Sequence, residues 1–326
     1  MGEPIVFAHD LQASAPDVRI SLSRAGVTGV QKAVRMRHRE SEALVAAEID
    51  CYVDLDPAQK GVHMSRFPEL FEEAIDQVVM TEQLLVEQLA EHIAAQILER
   101  QRALRAEVKI SARYPLERVT PVTGLHTREL VTLVGIAVAL PGRTRRAIGV
   151  EATGINACPC AQGLVRDRAA ERLSEAGFDE ADVGRILDLV PIATHNQRGR
   201  GTLFLGTDAR VRGEDLVEIV EGSMSSPIFA LLKRPDELFV VEHAHLQPRF
   251  VEDSVRLMIG NALAAYGDRL ADGDFVQARQ VNFETIHNHE VLAERFGTAG
   301  ELRRELATGE RSPRHLDLRG WLQSGA

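Results

Sequence analysis

Apolar positions recur with a period of two at the start of the chain and with helical spacing soon after. Val18-Arg19-Ile20-Ser21-Leu22-Ser23-Arg24 alternates as a strand does. Ala25-Gly26-Val27-Thr28-Gly29 reads as a turn, and Val30-Gln31-Lys32-Ala33-Val34-Arg35 as a returning strand. The β-branched and apolar content of residues 41–55 predicts a third strand, closed by Asp56-Pro57. Pro68-Glu69-Leu70-Phe71 then suits a helix start, with proline and an acid in the first turn. A second helix is predicted over 81–100, where Leu84, Leu85, Leu89, Ile93, Ala94 and Ile97 share a face. Residues 106–115 and 129–140 read as two more strands around Thr120-Pro121-Val122-Thr123-Gly124. Strands flanking a pair of helices predict an α+β unit.

The second half repeats this order of elements, without matched residues. A strand over 145–154 leads into Ala157-Cys158-Pro159-Cys160, and a charged amphipathic helix follows over 164–176. The polar group Thr194-His195-Asn196-Gln197-Arg198 precedes a strand at 202–207. Helices are predicted at 214–222, 226–234 and 249–266, and a last strand at 275–283. The expected division is an arm over 1–15, a first unit over 16–143, a second over 144–307 and a polar extension over 308–326.

Composition narrows the functional classes. A chain of 326 residues, 44% apolar and 26% charged, has the balance of a soluble globular protein. A formal net charge of −10 argues against a general binder of nucleic acid or membrane surfaces, although a local basic pocket for an anionic substrate remains compatible with it. No apolar run reaches the roughly 20 residues of a membrane span, and the first residues lack a signal-peptide pattern. Three cysteines make no disulfide framework, so the expected compartment is the reducing cytoplasm. Cys51, among apolar β-type neighbours, reads as a buried structural thiol.

The Cys-Pro-Cys junction carries the first chemistry. Two thiols where a strand gives way to a helix can sit near the positive end of a helix dipole, a position that suits an anionic sulfur. Cys158 and Cys160 are therefore candidate metal ligands or nucleophiles, with a pair of small buried hydrophobes as the plain alternative. His195 lies beside an amide pair and a basic cluster, Arg198 and Arg200, able to hold phosphate oxygens, or else in a solvated loop. Glu284 and His287 share a face if a helical turn begins there. Glu237 and Glu252 open helical segments, where an acid is favourable with no further role. His63-Met64-Ser65-Arg66-Phe67 places an imidazole, a hydroxyl and a guanidinium just before a helix, an arrangement that suits an anion or an ordinary N-cap.

Six segments in series, Gly61-Val62-His63-Met64-Ser65-Arg66-Phe67, Ala157-Cys158-Pro159-Cys160, His195-Asn196-Gln197-Arg198, Leu232-Lys233-Arg234-Pro235-Asp236-Glu237, Phe250-Val251-Glu252-Asp253 and Glu284-Thr285-Ile286-His287-Asn288-His289, resemble the type IB GTP cyclohydrolase I family and its archaeal-type relatives. The resemblance implies tandem tunnelling-fold units, each an antiparallel sheet backed by helices, in a homotetramer with active sites at subunit interfaces. It also implies hydrolytic opening of the GTP imidazole ring, loss of C8 as formate and reclosure to 7,8-dihydroneopterin triphosphate, at the start of folate or pterin biosynthesis. One divalent metal per site (zinc, manganese or iron(II)) would be held by Cys158, His195, Glu237 and His287. Cys158 would also be catalytic, with Cys160 in a supporting or catalytic role. Glu252 would anchor the guanine edge and Glu284 would be a second substrate-site acid. His63, Ser65, Arg66, Gln197 and Arg198 would line the triphosphate pocket.

One departure bears on the product. His195 lies 35 positions after Cys160, farther than in the common bacterial form and similar to the archaeal-type members, some of which release a 2′,3′-cyclic phosphate and use iron. A tunnelling-fold enzyme acting on a preformed pterin or deazapurine, and a non-catalytic purine-binding module, are the other classes open to this sequence. The first would ignore GTP, and the second would bind it without need of metal or Cys158.

Overall fold

The computed structural model describes residues 11–12, 14–38, 41–79, 85–312 and 316–324. The predicted amino-terminal arm falls almost wholly outside them. The elements run β1 (Leu22–His38), β2 (Ser41–Leu55), α1 (Arg66–Val79), α2 (Val86–Gln101), β3 (Ala106–Val119), β4 (His126–Leu140) and β5 (Arg143–Ala157). There follow α3 (Pro159–Glu175), α4 (Glu180–Leu189), β6 (Asn196–Gly206), α5 (Gly213–Gly222), β7 (Ser226–Pro227), α6 (Arg234–Leu246), α7 (Val251–Tyr266), β8 (Phe275–Asn282), β9 (Val291–Thr298), α8 (Ala299–Thr308) and α9 (Leu318–Gln323). The strands pair in the order β1-β2-β3-β4-β5-β6-β8-β9, with β7 on β5. This is the expected α+β class, an antiparallel sheet with helices against it.

The chain divides into two compact units. Of the described residues, the first holds those up to Arg113, 133–148 and 322–324, and the second holds those within 114–132 and 149–321. In the first, Leu89, Ile93 and Ile97 of α2 are fully buried, each worth about 1.5–3 kcal/mol of apolar transfer. Cys51 on β2 is also fully buried, as expected, and burial, with Glu107 and Asp50 nearby, pushes its thiol well above the ordinary range. Glu87 at the start of α2 is buried too, and burial pushes its carboxyl up to about 7 against the pull of Arg146.

Several elements differ from the sequence expectation for physical reasons. The two strands predicted before residue 36 are one strand, β1, whose register against β2 shifts between Val27 and Val30. Gly29 has a positive φ of 68°, and Asp50 Oδ1 accepts bonds from its N–H at 2.8 Å and from the Thr28 hydroxyl at 2.5 Å. The turn residues thus make a bulge within a continuous strand. The strand predicted to stop at Pro115 continues to Val119. Its pairing with β2 ends at Ala112, so the proline's missing N–H breaks no bond there.

The helix predicted over 226–234 is absent. Ser226 and Pro227 pair with β5, Lys233 is extended, and α6 begins at Arg234 with Pro235 in its first turn. An apolar run from Ile228 to Leu232 imitates a helix face, but Pro235 suits the first turn of a helix and not its interior, so it marks a start. Residues 291–307, given no element by pattern, form β9 and α8. Only Gly297 of β9 is buried, which leaves little alternation to read. The helix predicted over 81–100 is described only from Val86, since 80–84 fall outside the described residues. No helix among the described residues is long and apolar enough to cross a membrane.

Candidate active site

Cys158 is the N-cap of α3. It keeps extended backbone angles, its Sγ accepts from the Ala161 N–H at 3.5 Å, and Pro159 takes the first helical position, where a missing N–H costs nothing. The strand before it runs to Ala157, and the helix begins five residues earlier than the periodicity indicates. Cys158 is part-buried and Cys160 exposed. The Cys158 N–H donates to the His195 carbonyl at 3.1 Å, and the Thr194 hydroxyl donates to the Cys158 carbonyl at 2.9 Å. Gln162 donates to the carbonyls of Ile192 and His245, at 2.9 and 2.6 Å. Three of these contacts tie the start of α3 to the segment that presents His195, and the fourth ties it to α6.

β6 and β8 bring the next group together. Their ladder closes with Gly199 opposite Asn282, and the same register carried two residues further sets Gln197 opposite Glu284. The Phe283 N–H donates to the Arg198 carbonyl at 2.9 Å, which keeps the strand ends paired past the ladder. Gln197 is buried, and its Nε2 donates to Glu284 Oε1 at 3.0 Å. A carboxylate only accepts, so the amide nitrogen must face it and the amide oxygen must face away. That oxygen lies 3.2 Å from His195 Nδ1, which therefore carries the proton. Glu284 Oε2 lies 3.9 Å from the same nitrogen. The carboxylate, amide and imidazole form a line that fixes the ring's tautomer and leaves Nε2 with its lone pair.

The remaining acids and bases stand elsewhere in the second unit. Glu237 is exposed in the first turn of α6. Its neighbour Asp236 is fully buried. It accepts from the N–H groups of Val122 and Thr123, both at 2.9 Å, from the Thr123 hydroxyl at 2.6 Å and from the Lys233 N–H at 3.0 Å. Burial opposes its charge, but those donors, the Thr123 hydroxyl first, win and hold the carboxyl well below the usual carboxylate range. Glu252 is exposed in the first turn of α7 and lines a cavity of about 540 Å³ with Val255, Arg256, Ile259, Arg295 and Leu302. His287 is exposed and stacks on His289, ring centroids 5.2 Å apart. Arg198 is exposed on β6.

His63, Ser65 and Arg66 belong to the first unit. Arg66 opens α1 and Ser65 directly precedes it, while the His63 carbonyl accepts from Gln101 at 3.1 Å. His63 and Arg66 line a groove of about 870 Å³ with Arg100, Arg102, Asp56 and Glu69.

A thiolate and an imidazole nitrogen are donors that zinc and iron accept. Among the described residues, however, no three His, Cys, Asp or Glu side chains stand together as a metal site. The set Cys158, His195, Glu237 and His287 is not assembled within one chain here. Sequence reasoning missed Thr194, Gln162 and His245, which clamp the His195 segment, and it did not foresee that Gln197 meets the imidazole.

Residues 8–293 match the family described as Type I GTP cyclohydrolase folE2. The chain belongs to that family. GTP cyclohydrolase MptA of Methanococcus maripaludis strain C7 is 39% identical over 310 residues, covering 92% of this chain and 98% of the relative. GTP cyclohydrolase MptA of Methanosarcina acetivorans is 40% identical over 308 residues, covering 91% and 96%. The chain is thus an archaeal-type member of the family, and α3 and α4 fill its long connection between Cys160 and His195. Uricase from Arthrobacter globiformis superposes with a TM-score of 0.50 at 8% identity, covering 89% of this chain and 96% of that one. At that identity the likeness is one of fold, the tunnelling fold.

Proposed function

We propose that this enzyme hydrolyses GTP through a site built on Cys158, His195, Gln197 and Glu284. The observation that carries the reading is the Glu284–Gln197–His195 line, in a chain whose family acts on GTP. With Nδ1–H held toward the Gln197 oxygen, His195 Nε2 can take a proton from water adding at C8 of the purine, or bind a metal. Addition at C8 followed by cleavage of the C8–N9 bond opens the ring, and the electron pair arriving on N9 needs a proton. A second hydrolysis then frees C8 as formate, and the amine closes on the ribose-derived carbons to give the dihydropterin. A histidine or cysteine near the site that is not bound to the metal is the proposed proton source. Glu252 is the proposed guanine anchor, because a carboxylate can accept from both N1–H and the exocyclic amine. Arg198, with His63, Ser65 and Arg66, is proposed to meet the phosphates.

When bound, a divalent metal (zinc, manganese or iron(II)) supplies a Lewis acid that makes water nucleophilic near neutral pH. The proposed shell adds Glu237 and His287 to Cys158 and His195, drawn together in a homotetramer with interfacial sites. Cys160 is proposed to support Cys158, and the reducing cytoplasm is the proposed setting. The helical connection over 159–189 resembles that of archaeal-type members, which makes the cyclic phosphate of dihydroneopterin the alternative product to the triphosphate. Anaerobic purification, metal analysis and mass spectrometry of the GTP product test this directly. A dihydroneopterin of either phosphate form supports the reading, and unchanged GTP at full metal occupancy rejects it.

A further inference from the structure

Behind Cys158, Gln197 and Glu284 lies a dry cluster of amides. Asn156, Gln280 and Asn282 expose 0%, 0% and 2% of their surface. Asn156 Nδ2 donates to the Ser254 hydroxyl at 2.9 Å and to the Arg249 carbonyl at 3.2 Å. Gln280 Nε2 donates to Asn282 Oδ1 at 3.0 Å and reaches Asn156 Oδ1 at 3.5 Å. Gln280 Oε1 is buried and, among the described residues, has no hydrogen-bond partner. The backbone is drawn tightly over the cluster, since a Cβ at Gly199 would stand 2.2 Å from Gln280 Nε2, 2.8 Å from Asn282 Oδ1 and 3.0 Å from Asn156 Oδ1.

Asn156 and Asn282 of the cluster, and Gly199 over it, each stand two residues from a side chain of the proposed site, Cys158, Glu284 and Gln197 respectively. Along a strand, two residues is the repeat of one face. A slip in β5, β6 or β8 that moved one of these side chains would also part the amides. Apolar residues would fill the volume without specifying register, whereas a buried amide is costly unless its partners are in place. The unmatched Gln280 oxygen is a cost the fold carries at this spot.

We propose that Gln280 is a positioning residue: through Asn156 it ties β8 to β5, and packed over Gly199 it holds β6 in place beside them, so that Cys158, Gln197 and Glu284 are presented together. This rests on the function proposed above. Gln280→Met keeps the volume and removes both bonds. It should stay folded with a lowered melting temperature, yet, measured well below that temperature, lose about a hundredfold in kcat for GTP, the scale set by a misplacement of about 1 Å, with KM little changed. Gln280→Glu provides a second reading. Its protonated carboxyl can donate as the amide does and its ionised form cannot, so activity should recover as pH falls while wild type shows no such rise. A Gln280→Met variant within about twofold of wild-type kcat, or losses that merely track unfolded protein while Gln280→Glu shows no pH dependence of its own, would overturn the proposal. If wild type itself leaves GTP untouched, the functional reading fails instead. The proposal is then decided by alkylation, where Gln280→Met should shift the labelling ratio of Cys158 to Cys160 and an unchanged ratio would overturn it.

Discussion

A single methyl group at Gly199 tests the packing beneath the site. In Gly199→Ala the new Cβ falls 2.2 Å from Gln280 Nε2, about 1.2 Å inside ordinary contact. The amide has little room to retreat, because a Cβ at Gly201 would already stand 3.0 Å from Gln280 Oε1 and 2.5 Å from Val220. Relief therefore moves Gln280 off Asn282, breaking a 3.0 Å bond between two buried groups. Overpacking costs about 1–3 kcal/mol and leaving buried partners unmatched about as much again, so the expected loss is about 2–5 kcal/mol. Urea unfolding followed by tryptophan fluorescence measures it, since Trp321, the one tryptophan, packs on Phe275 of β8 with ring centroids 5.8 Å apart. A loss below about 0.5 kcal/mol would show that the amides yield freely and that the close approach has no energetic consequence.

Other perturbations separate the roles assigned above. Cys158→Ser should lower GTP turnover by about a hundredfold or more, while Cys160→Ser, at an exposed position, should lower it less; formate release measures both, and equal effects would contradict the ranking. Burial pushes the Glu87 carboxyl up to about 7 in the folded state, above the ordinary glutamate value, so its contribution to stability is present below the unfolded value and is lost as pH rises through 7. Glu87→Gln should therefore match wild type near pH 5 and exceed it by about 1–3 kcal/mol at pH 8, as read by urea midpoints at both pH values. Trp321→Ala should destabilise by about 3–5 kcal/mol in chemical denaturation, since it removes a buried ring over Gly206 and a 2.7 Å bond to the Gly273 carbonyl.

What the chain revealed in advance was chiefly local. The alternation of residues 106–115, the apolar face of α2 and the proline between two cysteines each announce an element within a few residues, because period and turn chemistry are written side by side. The Glu284–Gln197–His195 line was not legible, since it depends on which residue of β6 faces which residue of β8, and Gln197 and Glu284 are 87 positions apart. Gln280 was hidden for a related reason. In Phe275-Val276-Gln277-Ala278-Arg279-Gln280 it has the parity of Val276 and Ala278, the buried face of β8, but an amide at that place reads as the end of the alternation and not as a fully buried group. Asp236 stands beside the Glu237 that a motif picks out, and four donors from two segments show that it anchors the start of α6. Motifs name the residues of a site more readily than the residues that hold them.

The most direct test of the central claim follows the carbon that should leave. GTP labelled with carbon-13 at C8 is incubated with the anaerobically purified protein supplied with iron(II), zinc or manganese, and the label is followed by NMR. The account predicts that it appears as formate, one per dihydropterin formed, with wild type and not with Cys158→Ser. Label that stays in the purine with every metal, or formate released equally by Cys158→Ser, would contradict it.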